Sequence, residues 1–186
     1  KKNGGKVSEV LTEKKYLALH PHENFRDLVK LHAAAEILDI ATADEPGKRI
    51  RVLGKITDKD GTPVPGALVY VYQTDTRGWY SATSPHVGGN SGDMEHARLF
   101  GYVRTDSDGK FELHTVKPAG YPQSDLPAHI HVHVWKDGYR NYVNEFLFDD
   151  DERLVGEVRK SSERYNFMIA KPEPAAKPHD QQFSYQ

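Results

Sequence analysis

The chain contains no cysteine, which excludes disulfides, thiolate metal ligands and cysteine nucleophiles and leaves the redox compartment open. An excess of charge of one sign is lacking too. The formal net charge of −2 offers no basic footprint for nucleic acid. No apolar run approaches the roughly 20 residues of a membrane span. The chain opens Lys1-Lys2-Asn3-Gly4-Gly5 without methionine, as expected of a processed or a trimmed form. Removal of a signal peptide is one route to such a start, so the expectation is a soluble protein, cytoplasmic or else secreted or periplasmic.

What is present is the balance of a soluble globular protein: 37% hydrophobic and 28% charged residues over 186 positions, enough for one domain with an appendage. Residues 1–15 are polar and read as a loose terminus. From His22 to Ile40, apolar residues recur near helical spacing, although Glu36 to Ala41 alternates and suits a strand as well. Asp44-Glu45-Pro46-Gly47 is a turn. Beyond it, short β signals alternate with Gly/Pro turns. Arg49–Thr57 alternates, and Leu68–Gln73 suits a strand covered on both faces. Gly101–Arg104 and Lys110–Val116 read as a hairpin, as do His129–Lys136 and Tyr142–Phe148. Val155–Arg159 suits a helical turn and Tyr165–Ala170 a last strand. The stretch from Thr74 to Phe100 offers no regular element, and such length inside a compact domain usually serves function. The expected fold is all-β, an antiparallel β-sandwich core with a short, partly helical N-terminal appendage. Its expected divisions are appendage 1–46, metal-binding catalytic domain 47–170, and a surface or disordered tail 171–186.

Within Leu126 to Val134, histidines alternate with Ile130, Val132 and Val134. On a strand His129 and His131 therefore point the same way, their backbones about 6.6 Å apart, close enough for both imidazoles to meet one metal ion. Without cysteine, further ligands must come from the ten His, ten Tyr or the carboxylates. Tyr121 stands in the stiff Pro118-Ala119-Gly120-Tyr121-Pro122 turn, and Tyr80 ends Arg77-Gly78-Trp79-Tyr80. Two phenolates with two neutral imidazoles leave a trivalent ion near +1, a set that favours ferric iron. His133 lies too far along the strand from His129 to join them and reads as an outer or surface residue. His86, His96 and His114 read as surface residues. Asp93 and Glu95 are candidates to line a pocket, and Trp79 and Trp135 read as packing residues.

These pieces, in this order, resemble the intradiol ring-cleavage dioxygenases of the protocatechuate and catechol type. The resemblance runs over about Arg51 to Phe148. It is carried by Gly54 to Ala67, Gln73 with Gly78-Trp79-Tyr80, Arg104 to Gly109, Lys117 to Pro122 and Pro127-Ala128-His129-Ile130-His131. It implies one non-haem Fe(3+) per chain, held by Tyr80, Tyr121, His129 and His131. Tyr121 would be the axial ligand that leaves when a catechol chelates iron, Tyr80 and His129 equatorial, and His131 axial opposite Tyr121. It also implies a small aromatic diol and O2 as partners and a cis,cis-muconate as product. Two positions depart from the family pattern. Leu126 stands where an Arg usually precedes Pro-Ala-His, and Glu145 stands about where a Gln is common. Leu126 and Glu145, with Arg77 and Trp79, are therefore the expected substrate-pocket residues, and Arg77 and Arg98 are candidates to replace the missing cation. The loop from Tyr121 to His129 is shorter than in the best-known enzymes.

The strands and turns alone also fit a metal-free β-sandwich binding module of the carboxypeptidase-regulatory or transthyretin-like kind. A third reading keeps the iron but alters the activity, as Leu126 suggests. Residues Lys15 to Ala43 are apolar enough on one side to pack on the core or on a second subunit of a homo-oligomer.

Overall fold

The computed structural model describes residues 7–185. Two sheets face each other across an apolar core. The elements run α1 (Val7–Thr12), a 3-10 helix (Lys14–Leu19), α2 (Glu23–Leu31), β1 (Ala34–Ala35), β2 (Ile37–Asp39), β3 (Arg49–Lys55) and β4 (Leu68–Gln73). After these come α3 (Gly89–His96), β5 (Leu99–Arg104), β6 (Lys110–Val116), β7 (His129–Trp135), β8 (Tyr142–Phe148), α4 (Gly156–Arg164), β9 (Met168–Ala170), β10 (Glu173–Pro174) and β11 (Gln181–Tyr185). One sheet has the order β1-β5-β4-β7-β8-β9 and the other β10-β11-β3-β6-β2.

The sandwich stands, but its pairing is mixed. The pairs β3/β6, β4/β5, β4/β7 and β7/β8 are antiparallel. The pairs β1/β5, β2/β6, β8/β9 and β11/β3 are parallel. On β4, Val69 and Val71 fill the core while Tyr70 and Tyr72 are buried on the other face. That makes it the doubly covered strand its apolar run implied.

Several expectations need correction. The part of the N-terminus that is described, from Val7, is helical, with Val7 and Leu11 buried; the expectation for residues 1–6 lies outside the described residues. Helix and strand share the next segment, because the chain leaves α2 and crosses from one sheet edge to the other. Glu36 makes that crossing at φ +67, its N–H donating to Arg104 O and its carbonyl accepting from Glu112 N. Residues 34–39 thus edge both sheets, and the turn at Pro46 does not mark where the sandwich begins. The expected hairpin of β5 and β6 is instead a passage between sheets. Its turn is claimed by the preceding loop: Thr105 Oγ1 accepts from Ala67 N at 2.9 Å and Gly109 O accepts from Ile56 N at 2.8 Å. The stretch 74–100 holds helix α3. The tail is no tail. β11 lies between β10 and β3, and Phe183 is fully buried against Phe148, with ring centroids 4.9 Å apart. Its polar, Pro-rich approach masks the one alternating segment, Gln181–Tyr185, that joins the core. Among the described residues no helix is long and apolar enough to cross a membrane.

Candidate metal centre

Strand β7 puts Ile130, Val132 and Val134 into the core and His129, His131 and His133 on the opposite face. Two turns bring the tyrosines to that face. The first is built on Asp75, whose Oδ1 accepts from Arg77 N at 2.8 Å and Trp79 N at 3.2 Å, an Asx-type closure. Gly78 takes φ +76 there, and a Cβ on it would stand 2.3 Å from Gly120 O. Only glycine allows this approach, which is how the Tyr80 turn and the Tyr121 turn come to lie against each other. Ala119 N donating to Asp75 O, and Thr74 Oγ1 donating to Ala119 O at 2.7 Å, join the two turns. The acidic turn after β8 steadies the rest. Asp151 Oδ2 accepts from Ala128 N at 2.9 Å, and Arg153 donates to Tyr121 O at 3.1 Å and Leu126 O at 3.3 Å.

As a result four side chains end at one point. Tyr80 Oη lies 2.6 Å from Tyr121 Oη and 2.8 Å from His131 Nε2. Tyr121 Oη lies 2.9 Å from His129 Nε2, and the two Nε2 atoms are 3.2 Å apart. His129 Nδ1 is 2.8 Å from Pro127 O, so Nδ1 carries the proton and Nε2 presents its lone pair to the others. The ring of Tyr72 stacks on His131 at 4.3 Å and fixes its plane.

A cation with bonds of about 2.0–2.2 Å sets neighbouring donors about 2.8–3.4 Å apart. The observed spacing of 2.6–3.2 Å and the two facing lone pairs fit such an ion. The donor set of two phenol oxygens and two imidazole nitrogens is hard and suits a high charge. Burial raises Tyr80 far above the ordinary phenol value and pushes Tyr121 up to about 12. Burial, with His129 and His133 adding to it, takes His131 down to about 2. Only a strong positive charge at the meeting point makes phenolates of these tyrosines near neutral pH. His129, His131 and Glu145 also form a close group. Glu145, however, approaches His131 Nδ1, at 3.6 Å, on the side of the ring away from the quartet.

The quartet opens onto a cavity of about 770 Å³. Leu126 and Glu145 line it, with Val143 and Leu147 of β8, α3 on one side and α4 on the other. Arg77 and Trp79 do not. The Arg77 guanidinium is held 2.7 Å from Asp75 Oδ2 and lies over the Trp79 ring. Nor does Arg98 replace a cation here, because it pairs with both oxygens of Glu45 at 2.6 and 2.7 Å. Asp93 reaches the wall, whereas Glu95 does not.

Two groups near the quartet escaped the sequence reading. His86 is exposed as expected, yet its Nδ1 lies 2.8 Å from Asp93 Oδ2 and its ring meets that of Tyr121 edge-on at 4.7 Å. Seven residues separate His86 from Asp93 across an irregular loop, and no sequence period pairs them. Asp151 and Arg153 are the second; four acidic residues in a row, Asp149 to Glu152, conceal that one of them caps the strand of the histidines. His114 is likewise no free surface residue, because Asp39 and Glu112 take its two ring nitrogens.

Comparison with known proteins gives one consistent neighbourhood. The sequence model of the Dioxygenase family matches residues 29–185. Chlorocatechol 1,2-dioxygenase of Rhodococcus opacus is 33% identical over 129 residues, 60% of this chain and 48% of that protein. Catechol 1,2-dioxygenase 1 of Acinetobacter lwoffii is 30% identical over 137 residues, 65% of this chain and 42% of that protein. The chain thus spans about half, or less, of the length of these curated relatives. Among solved structures, the dioxygenase domain of a dioxygenase–carbohydrate-binding protein fusion from Streptomyces sp. SirexAA-E superposes with a TM-score of 0.60. It is 22% identical and covers 79% of this chain and 82% of that one, a likeness of fold.

Proposed function

Because the chain belongs to the intradiol ring-cleavage dioxygenase family, we propose that it holds one ferric ion through Tyr80, Tyr121, His129 and His131. With it the chain opens catechol-type rings between the two hydroxyl-bearing carbons, using O2 to give a muconate-type product. The observation that carries this reading is the convergence of two phenol oxygens and two imidazole nitrogens within 2.6–3.2 Å at the floor of a cavity. Ferric iron, when bound, supplies the Lewis acidity that makes a chelated catechol lose its protons and react with dioxygen.

The protein's part is positioning and proton handling. Tyr80 is 1% exposed, and its backbone bonds on both sides, to Pro85 O and from Arg98 N, so it stays in place. Tyr121 is only partly buried and rides on a turn that faces the cavity. Of the two tyrosines it is the one that would have room to move toward the cavity. Burial favours its phenol form, so as a phenolate its Oη would accept the proton that a hydroxyl in the cavity gives up. Leu126, Val143 and Leu147 make that side of the cavity apolar. Leu126, apolar where a cation is the family habit, favours a second reading in which iron is held but the substrate range is altered.

The test is a visible spectrum and metal analysis of the purified chain, with and without catechol under argon, followed by oxygen uptake. A tyrosinate-to-iron band with about one iron per chain, weakened or shifted in Tyr80→Phe, is expected. A band that shifts with catechol while no oxygen is consumed selects the second reading. A protein that stays colourless and iron-free when ferrous iron is supplied in air overturns both.

A further inference from the structure

The cavity wall carries charge of one sign. Among the described residues no lysine or arginine lines it, whereas Asp93, Glu145 and Glu157 do. The three acids are not equivalent. Glu157 stands at the rim, mostly in solvent, 2.7 Å from Lys160 Nζ, and solvent screens it. Asp93 is buried with both oxygens engaged, by His86 Nδ1 at 2.8 Å and Val87 N at 2.6 Å. Glu145 differs: its side chain is 30% exposed and makes no hydrogen bond to any described residue. The nearest ring nitrogen, His131 Nδ1, stands at 3.6 Å, beyond hydrogen-bond distance. The nearby arginines face elsewhere, Arg153 to the carbonyls of Tyr121 and Leu126, and Arg98 to Glu45.

The cavity is also larger than one ring needs. A cavity of about 150 Å³ accommodates a benzene-sized molecule, and here about 770 Å³ is open. A ring held at the quartet therefore leaves room for a substituent reaching along β8 toward Glu145, the cross-strand partner of His131. A carboxylate with no lysine or arginine beside it, in a wall partly removed from water, attracts a cation and repels an anion more strongly than it would in bulk solvent.

Resting on the ring-cleavage reading, we infer that this cavity selects catechols by the charge of their substituent. A short chain ending in an ammonium group is favoured, an uncharged chain is accepted, and a carboxylate is turned away, with Glu145 as the discriminating residue. The measurement is the dissociation constant of the iron-loaded chain, without oxygen, for three catechols bearing an aminoethyl, a propyl or a carboxymethyl group para to one hydroxyl. Calorimetry and the visible band read it independently. The amine is expected to bind at least about tenfold more tightly than the acid, with the propyl compound between them. Glu145→Gln shrinks that ratio to within about threefold, and Leu126→Arg, at a position 52% exposed and therefore tolerant of charge, shifts it toward the acid. An acid that binds as tightly as the amine, or a ratio unmoved by Glu145→Gln, overturns the inference while leaving ring cleavage standing. Failure of the propyl compound to bind at all overturns the ring-cleavage reading, and this inference with it.

Discussion

Replacing Arg26 by methionine removes a cation that has no carboxylate partner among the described residues and yet is only 7% exposed. Its Nη1 donates to His20 O at 3.1 Å and Ala97 O at 3.0 Å. Its Nη2 donates to Met94 O at 2.9 Å and Tyr70 Oη at 2.5 Å. The guanidinium lies 3.6 Å above the Phe100 ring. Met94 and Ala97 are at the C-terminal end of α3, where a positive charge meets the negative end of the helix dipole. The same helix carries Asp93 into the cavity wall, so Arg26 fastens α2 to one side of the candidate site. Methionine keeps the packing of the stem and leaves Tyr70 bonded to Met94 O. It strands the carbonyls of His20 and Ala97, at about 1–3 kcal/mol each. Relief from burying a charge offsets part of this, which leaves a net loss of about 2–4 kcal/mol. Against a total stability of about 5–15 kcal/mol, that is a large fraction. Urea unfolding reads it as a lower midpoint at unchanged slope. Arg26→Lys keeps the charge but not the fork, and recovers less than half of the loss. A variant Arg26→Met within about 0.5 kcal/mol of the parent would refute the reasoning, because the four donor contacts would then contribute nothing net.

Two further outcomes follow from the packing and the ionisation of the other sheet. Phe183→Ala empties a fully buried position between Phe146 and Phe148 and should cost about 3–5 kcal/mol, read as a fall in the unfolding midpoint; a near-neutral effect would mean that β11 is not part of the folded unit. His114 is held between Asp39 and Glu112, with the ring of His179 at 4.3 Å and Arg51 paired to Glu112. Burial opposes its charge, but the two carboxylates raise its pKa above the ordinary value. Its contribution is therefore fully present below about 6.5, the unfolded value, and fades as pH rises through the raised folded value. His114→Gln should destabilise more at pH about 6 than at pH about 9. Equal losses at both pH values would contradict the ion-pair account.

The sequence made the candidate centre legible because each donor announces itself locally. Alternation on β7 sets His129 and His131 on one face whatever the sheet around them, and the Gly/Pro turns at Tyr80 and Tyr121 are stiff enough to read as presenting devices. The same local logic misread Gln181–Tyr185, five residues whose place beside β3 depends on a strand 131 positions away. It misread β5 and β6 for a similar reason. A turn signal between two strands does not say whether they pair, and here Thr105 and Gly109 are held by the 56–67 loop instead.

From the sequence alone came the sandwich and the four candidate donor side chains, both of which rest on residue chemistry and period acting over a few positions; that Leu126 stands where a cation is usual came from the resemblance to the family. The tertiary structure decided which side chains share the cavity. Arg77 and Arg98 were candidates for a cation until Asp75 and Glu45 took them. Glu145 kept its carboxylate clear of any cationic side chain because no lysine or arginine among the described residues lines that wall and its cross-strand neighbour His131 stands 3.6 Å away, and His86 met Asp93 and Tyr121 only through the course of an irregular loop. Long-range pairing of charges and the sharing of one cavity among strands, helices and loops are properties of three-dimensional proximity, and no local period encodes them.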